Sequence, residues 1–138
     1  MVRQMHLVKG LVRYKDRYLL LKKAKDIVAE NVGKWEVPGG KIIVGEKPEE
    51  TIIREIKEET RLNCKIVNEL SLLEKELNGF ISRCNVFLLE ADADKVVLSD
   101  EHSEFRWVKP EEVKEMELVL FADLLLDYFT EVQLSTKK

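Results

Sequence analysis

The chain has 138 residues, of which 45% are hydrophobic and 36% charged, with 23 Lys and Arg against 26 Asp and Glu. That length supports a single domain over residues 1–138, and the hydrophobic share excludes a disordered chain. A net charge of −3 with no long basic run argues against duplex nucleic acid as a partner. The longest apolar runs, such as Val86–Leu89 and Leu118–Ala122, are far too short to span a membrane. Lys9 interrupts the N-terminus before any signal-like stretch develops. Cys64 and Cys84 are too few for a disulfide framework and too far apart for a CxxC site. Both read as buried free thiols, which points to a reducing, cytoplasmic setting.

Met5–Tyr14 and Arg17–Lys22 are rich in Val, Leu and Tyr around Lys15-Asp16, the pattern of a hairpin. Residues 23–34 are charged and read as a loop, and Trp35-Glu36-Val37 is a short strand stopped by Pro38-Gly39-Gly40. A further strand is expected over Lys41–Val44. Pro48 opens a helix, because Pro suits the first helical position and Glu49 and Glu50 complement the dipole there. Ile52, Ile53 and Ile56 give it a buried stripe. Asn63–Leu77 and Phe80–Glu90 read as strands joined by the turn Asn78-Gly79. Asp92–Ser103 is an acidic loop around a short strand at Val96-Val97-Leu98, and His102 is expected to be solvated in it. Phe105–Val108 is a strand, Pro110 opens a short helix, and Leu118–Glu131 is a closing amphipathic helix. The order predicts an α+β or α/β sandwich with helices covering a mixed sheet.

The helix carries the chemistry. Residues three and four apart on a helix are neighbours, so Glu55 faces both Glu58 and Glu59. Three such carboxylates repel one another until a divalent cation bridges them. Mg²⁺ takes oxygen ligands and keeps room for waters and substrate phosphates. Two or more ions of this kind neutralise a polyphosphate and generate a nucleophilic hydroxide. Gly39-Gly40 lets backbone approach the same ions or phosphates, where bulkier residues would block it.

Gly40, Glu46, Arg54, Glu55, Ile56, Glu58, Glu59 and Leu62 stand at fixed spacings, and the stretch resembles the signature box of the Nudix hydrolases, G-x5-E-x7-R-E-U-x-E-E-x-G-U. Lys34-Trp35-Glu36-Val37-Pro38 before the box and Glu101 to Trp107 after it extend the resemblance to most of the chain. One position departs, since the second Gly of the box, which in the family ends the helix in a left-handed conformation, is Arg61, which must take that conformation at a cost or let the helix end differently. The resemblance implies an α/β/α sandwich with a mixed sheet, and hydrolysis of a nucleoside diphosphate linked to another moiety, with Mg²⁺ or Mn²⁺. It implies metal ligation by Glu58 and Glu59 with the Gly40 carbonyl, and Glu55 as a ligand or as the base for the attacking water. Arg54 would orient the glutamates, and Glu46 would support the loop or a metal-bound water. Glu101 fits the place of a further carboxylate contributed by a late loop, with Glu104 as its competitor.

The Pro that ADP-ribose hydrolases of this family carry about 15 residues past the box is missing, as is the Tyr of dinucleoside polyphosphate hydrolases, where Phe80 stands. What remains resembles the MutT-like nucleoside triphosphate pyrophosphatases, which release a nucleoside monophosphate and pyrophosphate. The Asn through which some of these read an oxidised guanine has no counterpart at Met116-Glu117-Leu118-Val119. The alternatives are a nucleotide-sugar (ADP-ribose) or dinucleoside polyphosphate hydrolase, or a non-catalytic Nudix-like domain that binds a nucleotide. The partner implied is a small-molecule nucleotide, and the resemblance allows a homodimer.

Overall fold

A computed structural model describes residues 3–77 and 79–119 of the chain. The expected hairpin is present as β1 (Arg3–Tyr14) and β2 (Arg17–Lys23). Tyr14 pairs with Arg17 across a two-residue turn, and Lys15 takes the positive φ that such a turn demands. A short 3₁₀ turn at Ala29–Asn31 leads into β3 (Trp35–Glu36) and β4 (Gly39–Lys41). After the helix α1 (Pro48–Thr60) come the long strands β5 (Cys64–Leu77) and β6 (Phe80–Ala91), then β7 (His102–Val108). A second 3₁₀ turn, Pro110–Glu115, stands where the short helix is expected.

The strands form one mixed sheet in the order β3-β2-β1-β6-β5, with β4 also on β1 and β7 also on β2. β1 and β6 run parallel and the other pairs antiparallel. Side chains alternate across the sheet with period two. Val8, Val12, Leu19, Leu21, Phe87 and Leu89 meet Ile52 and Ile56 of α1 on one face, and Leu11, Leu20, Val86, Leu88 and Val113 pack on the other. Both faces of the central strands β1, β2 and β6 are covered, so apolar runs such as Leu19–Leu21 and Val86–Leu89 are buried throughout. Burying Ile52 and Ile56 completely contributes about 1.5–3 kcal/mol each. They reach the sheet at Gly10, where a Cβ would meet Leu89 at 2.8 Å and Ile52 at 3.2 Å.

α1 begins as the sequence predicts. Pro48 opens it, and the Glu50 carboxylate accepts the Lys47 backbone N–H at 3.1 Å. It ends at Arg61, whose φ of 65° is the left-handed conformation that the missing glycine would take freely.

Several expectations change. The strand placed at Lys41–Val44 is β4, centred on the glycines, because Gly39 and Gly40 pair with Lys9 and Val8. Val96-Val97-Leu98 is not a strand, since its neighbour is the end of α1. Val97 N–H donates to Thr60 O at 3.0 Å and Ser99 N–H to Glu59 O at 3.3 Å, so this segment satisfies the last carbonyls of the helix. β7 starts at His102, three residues before the expected Phe105. Leu118 forms an isolated parallel bridge with Trp35, and from residue 120 on the closing helix expected over Leu118–Glu131 lies outside the described residues. Cys84 is buried and Cys64 half-buried, both free, and burial pushes their thiols up to about 11 and about 12. Among the described residues, no helix is long and apolar enough to cross a membrane.

Arg61 is exposed and loses no packing when shortened. Replacing it by glycine removes left-handed strain of about 1–2 kcal/mol, partly offset by the extra freedom of an unfolded glycine. Arg61→Gly is therefore expected to raise stability by about 1 kcal/mol in urea denaturation, with no change in activity. A loss of stability would show that the helix end is held by Arg61 itself.

Candidate active site

The acidic turn of α1 is organised by Arg54. Its Nε and one terminal nitrogen donate to the two oxygens of Glu46 at 2.9 and 3.0 Å. The other terminal nitrogen donates to both oxygens of Glu58 at 3.1 Å and to Glu55 at 3.2 Å. Thr51 also donates its hydroxyl to Glu46 at 3.0 Å. Hydrogen bonding to Arg54 holds the Glu46 carboxyl below its usual range. The expected orienting role of Arg54 thus has a geometry, and Glu46 is tied to Arg54.

The two glycines of β4 lie directly against this turn. A Cβ on Gly40 would meet the Glu55 carboxyl carbon at 2.6 Å and its oxygens at 2.7 and 2.8 Å. A Cβ on Gly39 would collide with the carbonyl oxygen of Val8. Gly39 N–H donates to Glu59 Oε1 at 3.0 Å, so the same strand holds two of the three helix carboxylates in place. Glu59 is buried, and burial pushes its carboxyl up to about 8, helped by Glu36 and Glu55 against the pull of Lys9 and Gly39 N–H. Burial also raises Glu55, with Glu58 and Glu101 adding to it and Arg54 opposing.

Glu101 arrives from the far side. The 97–99 segment is bonded to the end of α1, and Glu101 O accepts Ala24 N–H at 2.9 Å, which brings the loop over the helix. Glu55, Glu58, Glu59, Ser99, Asp100 and Glu101 line one cavity of about 250 Å³. Glu104, the competitor, pairs with Lys22 at 3.3 Å and does not line this cavity. Asp100, which the sequence did not single out, joins the cavity and pairs with Lys25 at 2.8 Å. Five carboxylates around one small cavity, two of them raised by burial and mutual repulsion, form an all-oxygen donor set short of positive charge. Such a set fits a hard divalent cation.

His102 departs most from expectation. It is buried rather than solvated, with Nε2 2.8 Å from Glu36 Oε2 and Nδ1 3.7 Å from Glu59 Oε2. Glu36 lies among Lys9 at 3.0 Å, Lys23 at 3.5 Å and His102, and these hold its carboxyl well below the usual range although burial opposes them. Ligand atoms of Glu36, Glu59 and His102 lie within 4.8 Å of one another. Two lysine charges already on Glu36 make this group an ion-pair network in which a cation would meet repulsion. Lys23 and Lys25, expected as part of a solvated loop, pair with acids and line a second cavity of about 420 Å³ that shares Glu101 with the first. Trp35 is buried between Lys22 and Arg106, 5.6 and 5.1 Å from its ring.

Comparison with known proteins agrees with this geometry. The chain matches the NUDIX domain family over residues 6–129. It is 28% identical to a MutT-like protein of Streptomyces ambofaciens over 85% of this chain and 71% of that protein. It is 25% identical to a CTP pyrophosphohydrolase of Escherichia coli over 73% of this chain and 74% of that one. The crystal structure of a MutT protein from Methanosarcina mazei superposes with a TM-score of 0.79 at 30% identity, covering 99% of this chain and 98% of the other. The chain belongs to the Nudix hydrolases. It is an enzyme of pyrophosphate bonds, acting on nucleoside diphosphates linked to a further moiety, and such enzymes generally use a divalent metal.

Gly40→Ala drives a methyl into the Glu55 carboxylate, a displacement of about 1 Å that costs about a hundredfold in turnover. Thermal unfolding should change far less than activity, and equal turnover would show that the Glu55 position is not critical. Glu59 makes a second prediction. A carboxyl raised in the fold stabilises it fully below the unfolded value of about 4.3, and that stability is lost as pH rises through about 8. In EDTA, urea denaturation should show stability falling between pH 5 and 9, and Glu59→Gln should flatten the slope.

Proposed function

We propose that the chain hydrolyses a (deoxy)nucleoside triphosphate to the nucleoside monophosphate and pyrophosphate, with Mg²⁺ or Mn²⁺ as cofactor. The observation that carries this reading is the carboxylate cavity of Glu55, Glu58, Glu59 and Glu101, with a larger cavity beside it. The first suits a cation-bound polyphosphate, and the second, lined by Lys23, Lys25 and Ile27, gives room for the nucleoside end. The missing markers of the ADP-ribose and dinucleoside subfamilies support a triphosphate, as does similarity to a protein named as a CTP pyrophosphohydrolase.

In this reading Glu55, Glu58, Glu59, Glu101 and the Gly40 carbonyl hold the metal. When bound, the cation neutralises phosphate charge and lowers the pKa of its water. Glu55 receives the proton of the attacking water, a role suited by a carboxyl that burial has raised. Arg54 keeps Glu55 and Glu58 in register and balances their charge. Asp100 and Lys25 close one side of the cavity as an ion pair.

The test is turnover of a panel with Mg²⁺, containing canonical and oxidised dNTPs, ADP-ribose, nucleotide sugars and diadenosine tetraphosphate. Pyrophosphate and a nucleoside monophosphate are expected from a triphosphate, with EDTA abolishing the reaction. Glu58→Gln is expected to lower kcat by about a hundredfold or more, the scale of losing several kcal/mol of charge stabilisation. Turnover confined to ADP-ribose, nucleotide sugars or diadenosine tetraphosphate would replace the substrate class. No turnover of any member by wild type or variant would favour a nucleotide-binding domain.

A further inference from the structure

His102 Nδ1 is a buried nitrogen without a hydrogen-bond partner among the described residues, and its side chain is 2% exposed. Leaving such an atom unmatched is costly. Its orientation is nevertheless fixed. Glu36 holds Lys9 and Lys23 and is a carboxylate, which can only accept, so His102 Nε2–H must donate to it. The ring then aims its other nitrogen at Glu59 Oε2, 3.7 Å away. The pairing of β2 with β7 slips at this point, from Lys22 opposite Glu104 to Lys23 opposite His102. Ser103 is the extra residue of that bulge, and a bulge re-aims the side chains beside it. Here it turns His102 inward, under the carboxylate cavity.

We propose that His102 is a positioning residue: backed by Glu36, its Nδ1 sets the rotation of the Glu59 carboxylate and thereby the affinity of the cavity for a divalent cation. Glu59 Oε1 is already fixed by Gly39 N–H, so a contact at Oε2 leaves the carboxylate one orientation. With a hydrogen on each ring nitrogen, His102 donates Nε2–H to Glu36 and Nδ1–H to Glu59 Oε2, which satisfies both atoms after a shift of about half an ångström. Partners of this kind, one step behind a ligand, tune metal affinity by ten- to a hundredfold. The inference rests on Glu59 being a metal ligand.

The experiment measures Mn²⁺ affinity by the electron paramagnetic resonance of free Mn²⁺, for wild type, Glu59→Gln, His102→Phe and His102→Asn. His102→Phe is expected to weaken binding by about tenfold to a hundredfold, with kcat recovering at saturating Mn²⁺. His102→Asn keeps a polar atom near the place of Nδ1 and is expected to restore most of the affinity. A His102→Phe protein that is folded by circular dichroism and binds Mn²⁺ like wild type, while Glu59→Gln does not, overturns the proposal. Wild-type affinity in Glu59→Gln removes its basis instead, because Glu59 is then no ligand. Should the Phe variant not fold, His102→Gln decides, since it keeps a donor for Glu36 and nothing at the Nδ1 place. A tenfold loss there supports the role, and an unchanged affinity overturns it.

Discussion

One guanidinium holds three glutamates. Arg54 grips Glu46 with two nitrogens and reaches Glu58 and Glu55 with the third, so carboxylates that repel one another stay side by side. The planar fork of arginine makes this possible, and a lysine ammonium would not reach three acceptors in fixed directions. The pairs are partly solvated, so their worth lies in geometry more than in stability. Helical spacing alone brings Glu55, Glu58 and Glu59 to one patch. Arg54 decides how Glu55 and Glu58 point before any cation arrives, and Gly39 N–H does the same for Glu59.

The sheet serves that arrangement from two sides. β1 carries Gly10 under α1, which lets Ile52 and Ile56 seat the helix close to the strands. β1 also pairs with β4, placing Gly39 and Gly40 beside the same helix. Sheet, glycine strand and helix therefore share one rigid unit, and the carboxylates of Glu55 and Glu59 are positioned by backbone. The last wall comes from the segment that caps the helix. By satisfying the carbonyls of Glu59 and Thr60, residues 97–99 carry Asp100 and Glu101 to the cavity. Helix capping and site assembly are one event.

What could be read from sequence follows the range of the interaction. The hairpin at Lys15-Asp16, the start of α1 at Pro48 and its isoleucine stripe are local patterns, and they stand as read. The signature spacing located Arg54, Glu55, Glu58 and Glu59, and the structure gathers them with Glu101. The signature box left Arg61 two choices, a left-handed residue or a different helix end, and the structure has the left-handed one. Long-range partners were not legible. His102 looks like a solvated loop residue until Glu36, 66 residues earlier, and Glu59 close over it. Val96–Leu98 has the composition of a strand but meets helix carbonyls. Gly39 and Gly40 look like a stop signal, yet they are the middle of a pairing with Lys9 and Val8. In each case burial or pairing is settled by an element far away in the chain, which no local pattern records.

The most direct test of the account is a crystal structure with Mn²⁺ and a non-hydrolysable nucleoside triphosphate, using anomalous scattering to locate the metal. The account predicts anomalous peaks in the cavity, in contact with Glu55, Glu58 and Glu59, with Glu101 alongside and the triphosphate chain on the same ions. A peak seated instead on Glu36 and His102, or a nucleotide bound away from the carboxylates, would contradict it.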